Sequence, residues 1–287
     1  MGGDEKGAAM TQLCIYHKDC TDGFMSFTVV KKKYPDIAGY PAKYGESPPD
    51  VTDKDVIIVD FSYPRDTVLE MHSKARSLLV LDHHKTAKES LSGLDFAIFD
   101  MSRCGASLAF SYLFPDQELP KIIKYVEDRD LWKRELPHSD LVANALWLMP
   151  KEFERWEELL HYNEAQILKL AEQGRTIEAV KNAAVDKLIA NKLPIRLGDL
   201  ELHAVNSAIW QSEIGHRLLE TEPIGVVFSV MGEDVLLSLR SRADRPDVSE
   251  IAKAFGGGGH RNAAGFKVSA ARFFQEILKP GLGSPKS

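Results

Sequence analysis

No apolar run in this 287-residue chain approaches the ~18 residues a membrane-crossing helix needs, so no membrane span is expected. Cysteine is scarce: Cys14, Cys20 and Cys104 are an odd number and make no C-x-x-C, which argues against a disulfide framework and fits a reducing cytoplasm. The opening MGGDEKGAAM lacks a basic stretch followed by an apolar one, so no signal peptide is read there. Its acidic residues also argue against myristoylation, and a flexible leader is expected. Positive charge is short as well. A net charge of −6, its excess carboxylates lying in the first half, disfavours a protein that holds duplex or long-strand nucleic acid by bulk electrostatics. There is a glycine run, GGGGHRN from Gly256 to Asn262, but the Lys-Ser/Thr pair of a nucleotide P-loop is missing from it. No internal repeat is visible.

What is present reads as α/β. Apolar strand patterns at 13–17, 55–61, 77–84 and 95–100 alternate with helical patterns at 23–34 and 64–75, and further helices follow at 105–114 and 119–132. Alternation of this kind predicts βαβ units and a parallel sheet. From about 150 to 191 the spacing turns helical, with many helix formers and no proline; one or two linking helices are expected. Strands return at 194–206, 223–231 and 234–241, with helical patterns at 212–220 and 247–255 and a last strand after the glycines. The expected domains are therefore 12–150, a helical linker 151–192, a smaller mixed α/β domain 193–270, and a C-terminal helix and flexible tail 271–287.

In an open parallel sheet, ligands bind beyond the carboxyl ends of the strands. Here the first strand runs into YHKDCTDG, with His17, Asp19 and Asp22. The second runs into Asp60, and the third into Asp82, His83 and His84. A lone strand-end Asp is ordinarily a helix cap or turn residue. Carboxylates and imidazoles gathered at three successive strand ends are different, because packed together they need divalent cations to offset their charge and desolvation. An oxygen-rich set with some nitrogen, and no thiolate unless Cys20 contributes, suits Mn2+ first, with Mg2+ or Co2+ as alternatives. Two such ions would activate water for in-line attack on phosphorus.

The order H-x-D with a following DG, a strand-terminal Asp and then DHH resembles the DHH phosphoesterase family. The C-terminal GGGGHRNAAGF with SLRS upstream is similar to the DHH-associated domain of its first subfamily, and the resemblance spans roughly 12–268. It implies a parallel-sheet catalytic domain joined by helices to a smaller substrate-binding domain. It implies His17, Asp19, Asp22, Asp60 and His83 as metal ligands, with Asp60 bridging two ions, His84 beside the scissile phosphate and Asp82 orienting a histidine. The last acidic ligand is expected in YVEDRDLW as Asp128, with Asp130 as the competitor. The chain departs from the family's H-x-D-x-D-G, reading H-K-D-C-T-D-G. Either Asp19 stays a ligand, which is the expectation, or Cys20 takes its register and Asp19 turns away.

In the second domain Arg240, Gly257, Gly258, Gly259, His260, Arg261 and Asn262 are the expected substrate contacts, with glycine amides and a following helix start holding an anion. Phe61, Tyr63 or Trp132 could stack on a base, although core packing is the default for each. Among the substrates the resemblance allows, the small size, the negative charge and the gathering of cationic groups near the glycine loop favour short linear nucleotides such as pGpG, pApA or short oligonucleotides. Cyclic dinucleotides, single strands and a non-catalytic nucleic-acid-binding role stand as alternatives, and a homodimer is left open.

Overall fold

A computed structural model describes residues 12–279, and the leader and the tail beyond Lys279 lie outside them. Those residues form two compact units that divide between Glu178 and Ala179. None of their helices is long and apolar enough to cross a membrane.

The first unit opens with β1 (Gln12–His17), α1 (Thr21–Lys33), β2 (Ala38–Ala42), β3 (Asp55–Val59), α2 (Arg65–Lys74), β4 (Ser77–Asp82), α3 (Lys85–Ser90) and β5 (Ala97–Phe99). It continues with helices α4 (Gly105–Leu113), α5 (Lys121–Asp130), α6 (Ser139–Leu148) and α7 (Phe153–Leu159) and the first part of α8 (Glu164–Ile189). All the strand pairings in its sheet are parallel, in the order β2-β1-β3-β4-β5. The expected parallel α/β architecture is therefore present. Because both faces are covered, the central strands carry apolar residues at consecutive positions. Leu13, Ile15, Val56, Ile58, Leu78 and Val80 pack into one core, while Cys14, Val59 and Leu81 pack into the other, beneath α1 and α4 to α8. Trp156 of α7 is fully buried in that second core and donates its indole N–H to the Pro150 carbonyl at 3.0 Å. Truncating such a residue costs about 3–5 kcal/mol.

The second unit takes the rest of α8, then β6 (Leu193–Leu197), β7 (Leu200–Asn206), α9 (Gln211–Leu218), β8 (Gly225–Met231), β9 (Asp234–Arg240), α10 (Val248–Ala254), β10 (Gly258–His260) and β11 (Ala263–Ser269). Its sheet runs β10-β11-β9-β8-β7-β6, mixed, with only β7 and β8 parallel among the described pairs. The 194–206 stretch, expected as strand, is a hairpin turning at Gly198, whose φ is +59°. One face packs under α10 and the helical turns that follow β11, and the other receives Val185, Ile214 and Leu218 from α8 and α9. The expected linker 151–192 is thus shared. Trp156, Ile167 and Leu170 belong to the first core, and Val185 belongs to a core of the second unit. The expected C-terminal helix is short, a helical turn Ala270–Arg272 followed by a π-helical turn Phe273–Ile277.

Candidate metal centre

β1, β3 and β4 are neighbours in the sheet, so their carboxyl ends lie side by side. His17 closes β1, Asp60 follows β3, and Asp82 closes β4 with His83 and His84 next in the chain. Two glycines let helices come close to these ends. A Cβ at Gly23 would stand 2.3 Å from the His17 carbonyl oxygen, and one at Gly105 would stand 2.5 Å from Asp60 Cβ. Asp60 itself has φ +52°, a left-handed conformation that costs a non-glycine residue energy and is held here by its N–H, which donates to the Leu81 carbonyl at 3.0 Å. Asp22, in the first turn of α1, accepts the Gly105 and Ala106 amides at 2.6 and 2.9 Å, so the start of α4 orients both of its oxygens.

Asp60 faces two groups of donors. Its Oδ1 lies 3.1 Å from His83 Nε2, and its Oδ2 lies 3.6 Å from His17 Nδ1, too far for a hydrogen bond. On the His17 side, ligand atoms of His17, Cys20 and Asp60 lie within 4.8 Å of one another. On the His83 side, ligand atoms of Asp22, His83 and Asp130 do the same. His83 Nε2 is 3.7 Å from Asp22 Oδ2 and 3.6 Å from Asp130 Oδ2. Asp60 is 2% exposed, and its Oδ2 is buried without a hydrogen-bond partner. A carboxylate oxygen orphaned in this way among nitrogen, sulfur and oxygen donors fits a divalent cation.

The electrostatics have the same cause. Burial, then repulsion from Asp60 and Asp130, pushes the Asp22 carboxyl well above its ordinary range. Burial also raises Asp130, with His83 opposing. Burial alone would raise Asp60, but the imidazoles of His17 and His83 hold it well below that range. For His83, burial disfavours the charged ring, yet Asp60, Asp130 and Asp22 together lift it well above its usual value. Burial and then Asp60, Asp130 and Asp22 push the Cys20 thiol up. One proton-sharing cluster therefore carries more anionic groups than its histidines can balance.

Asp82 plays a different part. It is fully buried, accepts from Ser62 Oγ at 2.7 Å and the His83 amide at 2.7 Å, and lies 2.7 Å from His84 Nδ1. Burial would raise its pKa, but His84, with His83 behind it, brings it down to about 2. The same contact raises His84 against the cost of its own burial. Asp82 fixes the ring of His84, as a carboxylate behind a working imidazole does.

Two expected ligands stand elsewhere. Asp19, with φ +58° and 68% of its side chain exposed, pairs with Lys43 Nζ at 3.0 Å, while Cys20 stands with His17 and Asp60. The extra residue in H-K-D-C-T-D-G takes up the left-handed turn at Asp19 and delivers Cys20 in its place. Asp128 is not among these donor groups, although its Oδ2 is buried without a hydrogen bond. Its Oδ1 accepts the Glu135 amide at 2.9 Å and its carbonyl accepts from Lys133, so it closes the loop after α5; Asp130 is the carboxylate beside His83.

The glycine run departs from its expected form too. It runs into strands β10 and β11 where a helix start was expected. Gly256 has φ +79°, the Gly256 amide donates to the Lys253 carbonyl and the Gly257 amide to the Ala252 carbonyl, a Schellman closure of α10. The Gly257 amide is therefore committed to the fold. Gly258 and Gly259 are strand, and a Cβ at Gly259 would meet the Ala263 carbonyl oxygen at 2.6 Å. Arg261 is also engaged, donating to the Ala243 and Arg245 carbonyls at 3.0 Å each, while the Asn262 carbonyl accepts from Ser241. His260, Ala263 and Arg240 stand in register across β10, β11 and β9. Arg240 bonds to Ser212 Oγ at 2.6 Å and to Ser238 Oγ at 2.9 Å.

None of the three expected stacking aromatics is available. Phe61 and Tyr63 are buried. The Arg129 and Arg134 guanidiniums lie 3.8 and 4.0 Å from the Trp132 ring centre and both reach Asp140, so the ring is covered by cations. The residue the sequence did not single out is Tyr44. It is 54% exposed, rests on Phe61 at 4.6 Å, and stands edge-on to His17 and His84 at 5.5 and 6.2 Å. Cys20 and Asp130 were the sequence's alternatives to Asp19 and Asp128, and the structure brings these two into the donor groups; the paired amides at Gly105 and Ala106 needed the fold to find them.

A model of the DHHA1 domain matches residues 204–280. An uncharacterized protein of Acanthamoeba polyphaga mimivirus is 31% identical over 296 aligned positions, covering 90% of this chain and 68% of the viral one. The pGpG-specific phosphodiesterase PggH from Vibrio cholerae has a similar fold, with a TM-score of 0.50 at 13% identity over 92% of this chain and 95% of its own. RecJ from Thermus thermophilus, solved with Mn2+, gives 0.53 at 15% identity over 92% of this chain and 50% of RecJ.

Proposed function

Since the chain belongs to one family with the mimiviral protein and carries the DHHA1 domain of the DHH phosphoesterase superfamily, we propose that it is a metal-dependent phosphodiesterase of short linear nucleotides. One observation carries the reading: the buried Asp60 carboxylate, one oxygen toward His83 and the other toward His17, with Oδ2 left without a hydrogen bond. His17, Cys20 and Asp60 would hold one divalent ion, and Asp22, His83, Asp130 and Asp60 a second. Ions held there would supply the Lewis-acid activation that in-line attack of water on phosphorus needs.

The protein's own groups do the rest. Asp82 accepts from His84 Nδ1–H and favours the doubly protonated ring, so Nε2–H is the donor that would meet a phosphate oxygen as charge builds in the transition state. Tyr44 supplies an aromatic face beside His17 and His84 for a base or ribose next to the cleaved bond. Within the DHHA1 unit, Arg240 and His260 stand in register and are that unit's candidate anion-binding pair. The net charge of −6 favours short substrates over long strands, and the similarity in fold to PggH supports linear dinucleotides as the first to try.

The test is purified protein with Mn2+, Mg2+ or Co2+, offered linear dinucleotides, cyclic dinucleotides and end-labelled oligomers of increasing length. Release of mononucleotides that needs the ion and falls away as the oligomer lengthens is the expected result. Equal rates on long strands would replace the short-substrate reading with an exonuclease. No hydrolysis of any of them would overturn the proposal.

A further inference from the structure

We propose that Cys20 is a thiolate ligand that makes the two ion positions chemically unequal, the one beside His17 preferring thiophilic divalent ions such as Zn2+, Co2+ or Fe2+ over Mg2+. The inference rests on the metal centre proposed above and goes beyond it. Three observations carry it. Cys20 shares a 4.8 Å cluster with a nitrogen of His17 and an oxygen of Asp60. The oxygen donor expected in this motif, Asp19, is turned out to Lys43. And Asp60 Oδ2, buried without a hydrogen bond, lies on this side of the carboxylate, facing His17.

The chemistry of the donors gives the preference. Beside His83 the donors are two further carboxylates and an imidazole, a hard set that accepts Mn2+ or Mg2+. Beside His17 they are an imidazole, a carboxylate and a sulfur. Mg2+ wants oxygen in octahedral array and binds thiolate poorly, whereas Zn2+, Co2+ and Fe2+ take such mixed sets. Cys20 is also the residue that starts α1, its carbonyl accepting the Phe24 amide at 3.2 Å, so its backbone is fixed by the helix. The remaining cysteines offer no equivalent. Cys14 lies in the sheet core, and Cys104 is buried at the start of α4, on the Asp22 side.

The probe is Co2+ added to metal-stripped full-length protein, with bound metal counted by equilibrium dialysis and absorbance followed in the near ultraviolet, where thiolate-to-cobalt charge transfer appears. Wild type and Cys104→Ser should show this absorption, and Cys20→Ser should lose it and bind Co2+ about 10- to 100-fold more weakly. Cys20→Asp restores an oxygen donor, so it should lack the absorption and bind Mg2+ more tightly than wild type does. Stoichiometric Co2+ without charge transfer in wild type, or charge transfer that survives in Cys20→Ser, would overturn the Cys20 assignment and leave the metal centre standing. Failure of Co2+, Mn2+ and Mg2+ alike to bind wild type would overturn both. Retained Mn2+ binding by Cys20→Asp checks that the variant is folded.

Discussion

A methyl group on Gly105 would stand 2.5 Å from Cβ of Asp60 and 3.0 Å from Oδ2 of Asp22. The start of α4 is thus in direct contact with two candidate ligands at once, and there is no room to give. Gly105→Ala should cost about 1–3 kcal/mol of stability by overpacking, seen in a thermal melt without metal. It should also weaken Mn2+ binding, measured by titration, because Asp22 loses its seat on the Gly105 and Ala106 amides.

Removing the metal should lower the melting temperature of wild type. Saturating Mn2+ at about 100 times its Kd adds about 2.7 kcal/mol to the folded state. Asp60→Asn, which keeps the shape but removes the charge and turns one of the two oxygens into an NH2 donor, should abolish that metal-induced shift and Mn2+-dependent turnover together. A full shift in Asp60→Asn would show that Asp60 is not a ligand.

Asp128 and Asp130 should separate cleanly. Asp128→Ala strands the Glu135 amide and should lower stability by about 1–3 kcal/mol while leaving Mn2+ affinity within a few-fold of wild type. Asp130→Asn should do the reverse, with a near-normal metal-free melt and weakened Mn2+ binding. Calorimetric titration of both variants decides it.

Asp82→Asn should leave the metal-induced melting shift in place and reduce kcat by about 10- to 100-fold, since the His84 ring loses the carboxylate that fixes its Nδ1 proton. Single-turnover kinetics, which isolate the chemical step, are the measurement.

Tyr44→Ala should raise KM for a linear dinucleotide by a factor set by about 1–3 kcal/mol of lost stacking, with kcat changed less, and Tyr44→Phe should retain most of it. A phosphodiester analogue lacking a base should not distinguish the two variants.

The elements that carry the site were legible because burial on both faces writes long apolar runs, and His17, Asp60 and Asp82 stand where those runs stop. The edge strand β2 was not: AGYPA carries no apolar run to mark it. Its Pro41 is tolerated at a sheet edge, and its Gly39 is required because a Cβ would meet the Phe27 ring at 2.7 Å. Choosing between Asp128 and Asp130 needs the rotation of the last turn of α5, which residue types do not encode. Choosing between Asp19 and Cys20 needs the φ of +58° at Asp19, an outcome of how one extra residue is fitted between a strand end and a helix start. The glycine run looked like a phosphate cradle because helix closure and anion binding draw on the same freedom of glycine, and Gly256 and Gly257 serve the first.

The candidate ligands come from positions 17, 20, 22, 60, 83 and 130, yet several of their donor atoms lie within 4.8 Å of one another. A cation there ties together segments far apart in the chain, much as a covalent cross-link would, but reversibly. It can assemble only after β1, β3 and β4 have paired and α4 and α5 have docked. Slower unfolding in the presence of metal would follow from that placement. Chelation would then act on the lifetime of the first unit as much as on its chemistry.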